Sequence, residues 1–192
     1  RGLITASGGN HGLGVAYAGW MLGVPVRIYL PLNTPDSKIA KLKKDWGVDV
    51  VLQGEVWDDA NRAALAEAAR SGERYIHPFA DPAVIAGQGT LALELMRQAP
   101  KIDTLLVAIG GGGLISGVAS AVKALSPETR IIGIEPVGAP TLHDSIKAGE
   151  LVTLPGIETK VSSLAPRRSE ALNFDIIRSK VDDFLLVSDA EM

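Results

Sequence analysis

Four consecutive glycines, Gly110, Gly111, Gly112 and Gly113, separate two segments of different hydrophobic periodicity, and this junction limits the fold more than any other stretch. Residues 104–109 are an apolar run of strand length, whereas Leu114, Ile115, Val118, Ala119, Val122 and Leu125 recur at helical spacing. The glycines therefore sit at a strand-to-helix corner. A backbone without Cβ atoms can turn tightly there, come close to a ligand, and present several N–H groups with the positive helix end to an anion. A phosphate is the natural guest. Glycine-rich runs also serve as flexible linkers, but a linker is not expected between a buried strand and an amphipathic helix.

The rest of the chain alternates in the same way. Residues 3–5 form a strand, 10–22 a small-residue helix closed by Gly23, and 25–30 a second strand. Thr34, Pro35 and Asp36 supply an N-cap, a proline at the first helical position and an acid in the first turn of a helix that stops at Gly47. A third strand spans 48–52; Trp57, Ala60, Ala64, Leu65 and Ala68 mark one face of a helix ending at Gly72, and 74–77 form a fourth strand. The pattern restarts after Pro78 and Pro82. A helix runs to about Ala99, followed by the glycine corner and its helix, a strand at 130–135, a helix at 140–148, an irregular stretch at 156–168, a helix at 171–180 and a strand at 183–187.

Parallel strands need a crossover between them, so this alternation implies an α/β protein with parallel sheets covered by helices on both sides. The two prolines divide it into two open α/β domains, a smaller one at 1–79 and part of a larger one at 80–192. In the helix opening at Pro82, Gly87 and Gly89 each cost about 1 kcal/mol against alanine. Either close helix–sheet packing or a ligand would explain them.

Composition excludes several classes. The chain is 46% hydrophobic with a formal net charge of -3, and Lys38, Lys41, Lys43 and Lys44 lie on a helix whose apolar positions are Ile39, Leu42 and Trp46. That cluster reads as a solvated face, so no nucleic-acid partner is expected. There is no cysteine, no apolar run of membrane-spanning length and no signal-like start, which leads to the expectation of a cytoplasmic protein with no membrane partner. His11, His77 and His143 are too far apart to suggest a metal cluster by spacing.

Ser7-Gly8-Gly9-Asn10-His11-Gly12 is a second strand, glycine turn and helix start. Its first helical amides suit a carboxylate, although Ser7 or Asn10 would equally serve as a plain helix cap. This loop, then Asp81-Pro82-Ala83-Val84-Ile85-Ala86-Gly87-Gln88-Gly89-Thr90, then the glycine corner through Leu114-Ile115-Ser116-Gly117, resembles the threonine/serine dehydratase group of pyridoxal-phosphate-dependent enzymes, which have a tryptophan synthase beta-like fold. Val181-Asp182-Asp183 and Val187-Ser188-Asp189 are similar to the group's later segment.

The resemblance implies a set of roles. Gly110, Gly111, Gly112, Gly113 and the Leu114 amide would cup the phosphate of pyridoxal 5'-phosphate, and Asn10 would hydrogen-bond the ring hydroxyl oxygen. Ser7, Gly8, Gly9, Asn10 and His11 would hold the carboxylate of a small amino-acid substrate, and the smaller, mobile domain would close over it. The implied reaction is β-elimination of water from a β-hydroxy amino acid such as L-threonine or L-serine, giving a 2-oxo acid and ammonia, in a homo-oligomer. An amino-acid racemase or β-replacement synthase of the same family is the alternative, as is a non-catalytic phosphate-binding module. Related racemases use a serine hydroxyl at the position of Gly8, which has no proton to give.

Two further departures stand out. The family's Schiff-base lysine lies upstream of the Ser7 loop, and Lys38, Lys41, Lys43, Lys44, Lys101, Lys123, Lys147, Lys160 and Lys180 all fall on polar helix faces, turns or chain ends, so no catalytic residue is assigned. Together with the helix-start spacing of Ser188 and Glu191 just before Met192, this leads to the expectation that the chain is cut from a longer polypeptide. Glu135, Ala139 and Thr141 match the region where some relatives place a divalent cation. Thr141 stands where the metal-binding members have an acid, and Glu135 would equally cap a strand end or pair with a base.

Overall fold

The computed structural model describes residues 2–192, apart from the side chain of Ser162. Its contacts divide the chain into two compact units, Arg1–Pro78 and Phe79–Met192. The first contains β1 (Leu3–Thr5), α1 (Asn10–Leu22), β2 (Val26–Leu30), α2 (Asp36–Trp46), β3 (Asp49–Leu52), α3 (Trp57–Ser71) and β4 (Arg74–Tyr75). All pairings in its sheet are parallel, in the order β3-β2-β1-β4, with Leu3 beside Val26 and Ile28 beside Val50.

The period of two along β2 places helices on both faces of this sheet. Ile28 and Leu30 pack with Val15 and Ala16 of α1 and Leu42 of α2, whereas Tyr29 points the other way and packs with Ala60 and Ala64 of α3. α1, α2 and α3 each stop at a left-handed glycine, Gly23, Gly47 and Gly72. The opening of α2 differs from the sequence expectation: Pro35 itself occupies the N-cap, without a side-chain hydrogen bond from Thr34.

The second unit contains α4 (Pro82–Gln98), β5 (Thr104–Ala108), α5 (Gly113–Leu125), β6 (Arg130–Pro136), α6 (Thr141–Ala148), a 3-10 turn at Ser162–Leu164, α7 (Ala171–Lys180) and β7 (Asp183–Val187). Its sheet is also parallel, in the order β5-β6-β7, with Leu105 beside Ile131 and Ile134 beside Leu185. One face carries the core: Val107, Ile109 and Ile131 pack with Ala92, Ile115, Val118, Val122, Leu142, Phe174 and Ile177 from four helices. On the opposite face Leu106 and Leu185 are exposed.

The two glycines in α4 have different explanations. A Cβ on Gly89 would lie 3.1 Å from the carbonyl oxygen of Gly117 in α5, so Gly89 permits a close helix–helix contact rather than the helix–sheet contact or ligand expected. Gly87 has open space around it. Among the described residues no helix is long and apolar enough to cross a membrane.

Candidate functional site

In the first unit, β1 delivers the chain into the Ser7 loop with its base fixed. The Thr5 hydroxyl is buried and donates to the Ile76 carbonyl at 2.8 Å, and the Trp57 indole N–H donates to the Ala6 carbonyl at 2.7 Å. Because the Thr5 hydroxyl proton is engaged, the His11 Nε2 atom 3.0 Å away must be the donor, which sets the proton of that ring on Nε2. His11 is thus oriented from below by β1.

Ser7 and Asn10 do not cap α1 in the usual way. The N-cap is Gly9, with no side-chain hydrogen bond, and Ser7 Oγ instead accepts from the Gly9 amide at 3.3 Å. A Cβ on Gly12 would overlap the Ser7 carbonyl, so the loop folds back tightly on the first helical turn. No acceptor among the described residues engages the amides of Gly8, Asn10 or Gly12, and Asn10 is exposed. This is a loop with donors to spare at a helix N-terminus, a setting that favours a carboxylate.

The glycine corner of the second unit is more constrained. Gly112 has φ +93°, which a residue with a side chain rarely adopts, and forms the N-cap of α5. A Cβ on Gly111 would overlap the Phe79 ring, one on Gly113 would lie 2.8 Å from Phe79 Cα, and one on Gly110 would lie 3.0 Å from the Ser163 carbonyl oxygen. The glycines are therefore required by the protein packed against them, and that packing fixes the loop.

The corner's amides have no protein acceptor. Among the described residues none faces the N–H groups of Gly110, Gly111, Gly112, Gly113 or Leu114, although Gly112 and Gly113 are buried. Five successive donors at the start of a 13-residue helix suit an anion such as a phosphate group. Buried backbone donors are seldom left without a partner, and an anion satisfies several of them at once.

Three buried polar side chains that the sequence reading missed lie behind this corner. Ser169 Oγ donates to the Gly111 carbonyl at 2.8 Å. Asn173 Nδ2 donates to the Phe79 carbonyl at 2.9 Å and to Ser116 Oγ at 3.2 Å. The available signal was a polar residue, Asn173, on the apolar stripe of α7 beside Phe174 and Ile177.

Glu135, Ala139 and Thr141, the residues expected at a cation site, each have a hydrogen-bond partner within the chain. The Glu135 carboxylate accepts from the Leu142 amide at 2.9 Å and the His143 amide at 2.6 Å, which makes it a cap for α6. The Ala139 carbonyl accepts from the Thr141 amide at 2.9 Å, and the Thr141 hydroxyl donates to the Pro166 carbonyl at 2.6 Å. Glu135 is the single carboxylate of the three, and no cluster of three or more His, Cys, Asp or Glu side chains suited to a metal occurs among the described residues. Burial pushes the Glu135 carboxyl up to about 7, against the pull of the two amides.

The lysines occupy surface settings. Lys123 and Lys180 are half-buried and the others exposed, and the Lys123 ammonium group is held by the carbonyls of Pro127 and Thr129 and by Asp182 at 2.7 Å. That ion pair keeps the Asp182 carboxyl below its usual range. His143 contacts Asp144 through Nδ1 at 2.8 Å and packs edge-on to Phe184.

Comparison with known proteins gives this geometry a context. The chain is 42% identical over 192 residues to an L-threonine ammonia-lyase of Geobacter sulfurreducens, and 38% identical to an L-threonine ammonia-lyase of Thermotoga maritima. It spans all of its own length but only 48% of each of these relatives. Among solved structures, the processed form of threonine deaminase isoform 2 from Solanum lycopersicum superposes with a TM-score of 0.93 at 41% identity, covering 97% of this chain and 54% of that one. A maize serine racemase superposes equally well, with a TM-score of 0.93 at 38% identity, over 98% of this chain and 57% of that one. A family model described as pyridoxal-phosphate dependent enzyme matches residues 1–192 in full, and the chain belongs to that family.

Proposed function

We propose that this chain supplies the phosphate-holding and carboxylate-holding loops of a pyridoxal-phosphate-dependent ammonia-lyase. Its substrate is a β-hydroxy amino acid, L-threonine first and L-serine second, and its products are a 2-oxo acid and ammonia. The observation that carries the reading is the run of five amides at 110–114 without an acceptor among the described residues, in a chain 42% identical to an L-threonine ammonia-lyase.

Pyridoxal phosphate, when bound, supplies an electron sink that makes the α-proton of an amino acid acidic enough to leave. The residues of this chain provide placement. In this reading the amides at 110–114 hold the phosphate and the N-terminus of α5 adds its positive end. The amides of Gly8, Asn10 and Gly12 take the substrate carboxylate, Asn10 reaches the ring hydroxyl oxygen, and His11 keeps the orientation imposed by Thr5. The domain at 1–79 is the mobile one, and closing it over the substrate would exclude water until the β-hydroxyl has left. A cytoplasmic homo-oligomer belongs to the same proposal. A divalent cation does not, since Glu135, Ala139 and Thr141 are engaged with α6 and its neighbours.

Similarity to a serine racemase keeps racemisation as the second reading. Gly8 speaks against it, because this position has no hydroxyl to protonate a carbanion. The test is 2-oxo acid release by the purified full-length protein, reconstituted with pyridoxal phosphate and given L-threonine or L-serine. Release from either supports the lyase. Formation of the D-amino acid without 2-oxo acid would establish the second reading instead, and no release from any β-hydroxy amino acid would refute the first.

A further inference from the structure

The glycine corner has two sides, and only one is turned to protein partners. Its amides at 110–114 have no acceptor among the described residues, whereas two of its carbonyls and the backbone against it are tied down. The Gly111 carbonyl accepts from Ser169 Oγ, and the Gly112 carbonyl accepts from the Ser116 amide at 2.9 Å. Phe79, whose ring and backbone fill the space that a Cβ on Gly111 or Gly113 would need, is held through its carbonyl by Asn173 Nδ2. That contact also fixes which way the Asn173 amide points, because a carbonyl can only accept.

Both braces come from one short stretch of chain. Ser169 precedes α7 and Asn173 lies in its first turn, yet they reach segments 58 and 94 residues away in sequence. Ser169, Asn173 and Ser116 are fully buried. Asn173 Oδ1 is buried and has no hydrogen-bond partner among the described residues. An unpaired buried carbonyl oxygen is unfavourable, so an apolar side chain would serve the core better unless the Nδ2 contacts were needed.

We propose that Ser169 and Asn173 are positioning residues for the phosphate cup: from behind, they hold the Gly111 carbonyl and the Phe79 backbone so that the amides at 110–114 keep the orientation a phosphate requires. Preorganised donors bind an anion better than donors that must first be ordered. The inference rests on the reading of residues 110–114 as a phosphate cup, and its test separates the two.

The test compares pyridoxal phosphate with pyridoxal, which lacks the phosphate, as ligands of the full-length apoprotein, by cofactor absorbance and by the phosphorus resonance of the bound ester. Wild type should prefer pyridoxal phosphate strongly; equal affinity would remove the cup and the braces together. Ser169→Ala, close to isosteric, should weaken pyridoxal phosphate roughly tenfold, the size of one well-placed hydrogen bond. It should leave pyridoxal within about twofold, because only the phosphate contacts are disturbed. Asn173→Ala should narrow the same ratio and broaden the phosphorus resonance. Variants in which both ligands weaken alike, or in which only the melting temperature falls, would show a merely structural role and overturn the proposal, as would an unchanged ratio.

Discussion

Glu135 shows what a single carboxyl can do when a strand end delivers it into a helix start. It is 1% exposed and serves the first amides of α6, and burial raises its pKa from 4.5 to about 7. A carboxyl whose folded value is raised binds its proton more tightly when folded, so its stabilising contribution is full below about pH 4.5 and is lost as pH rises through about 7. The loss is on the order of 3 kcal/mol, the amides' pull toward the charged form being already contained in the value of about 7. Melting curves between pH 4 and 8 should show that decline in the wild type, and Glu135→Gln should flatten it while lowering stability at the acid end by about 1–2 kcal/mol, because its NH2 group opposes an amide donor. An identical pH slope in both proteins would contradict the assignment. From sequence, Glu135 could be a cap or a cation ligand; what decided between them was the folding back of residues 141–143 onto it, which no local pattern encodes. The partners of Ser169 and Asn173 were illegible for the same reason, lying 58 and 94 residues away, although Asn173 stood out as a polar residue on an apolar stripe.

Glycine within helices carries opposite meanings at neighbouring positions, and the elements rather than the residue type decide between them. Gly117 lies where α5 crosses α4; an added Cβ would overlap the Ile85 carbonyl and lie 2.7 Å from the Gly89 amide nitrogen. Gly117→Ala should push the helices apart and destabilise the second unit by about 1–3 kcal/mol, as overpacking in a filled core does. Gly87, two residues from Gly89, is exposed and meets nothing within 4 Å. Gly87→Ala should therefore stabilise by about 0.5–1 kcal/mol through helix propensity alone. Denaturant unfolding of the two variants checks the opposite signs, and destabilisation by both would contradict the account. The positions of the helices were legible, because apolar spacing, as in α5, and closing glycines, as Gly47 of α2 and Gly72 of α3, act within one element. The contact between α4 and α5 was not legible, and neither was the shift of the α2 cap from Thr34 to Pro35.

Across the chain, the alternation of apolar strands and helices was enough to foresee parallel sheets, because βαβ crossovers leave few other arrangements. The two glycine loops were legible as strand-to-helix corners for the same reason, and their order along the chain carried the family. Their chemistry was only half visible. Sequence suggested that glycines make room for a ligand, whereas Phe79, Leu142 and Asn173 fill the space at Gly111, Gly112 and Gly113 and leave the backbone amides as the available surface. The most direct test of that claim is a titration of the 15N-labelled full-length protein with pyridoxal phosphate, following backbone amide resonances. The largest downfield shifts should fall on Gly110, Gly111, Gly112, Gly113 and Leu114, and unchanged resonances there on saturation with the cofactor would contradict the account.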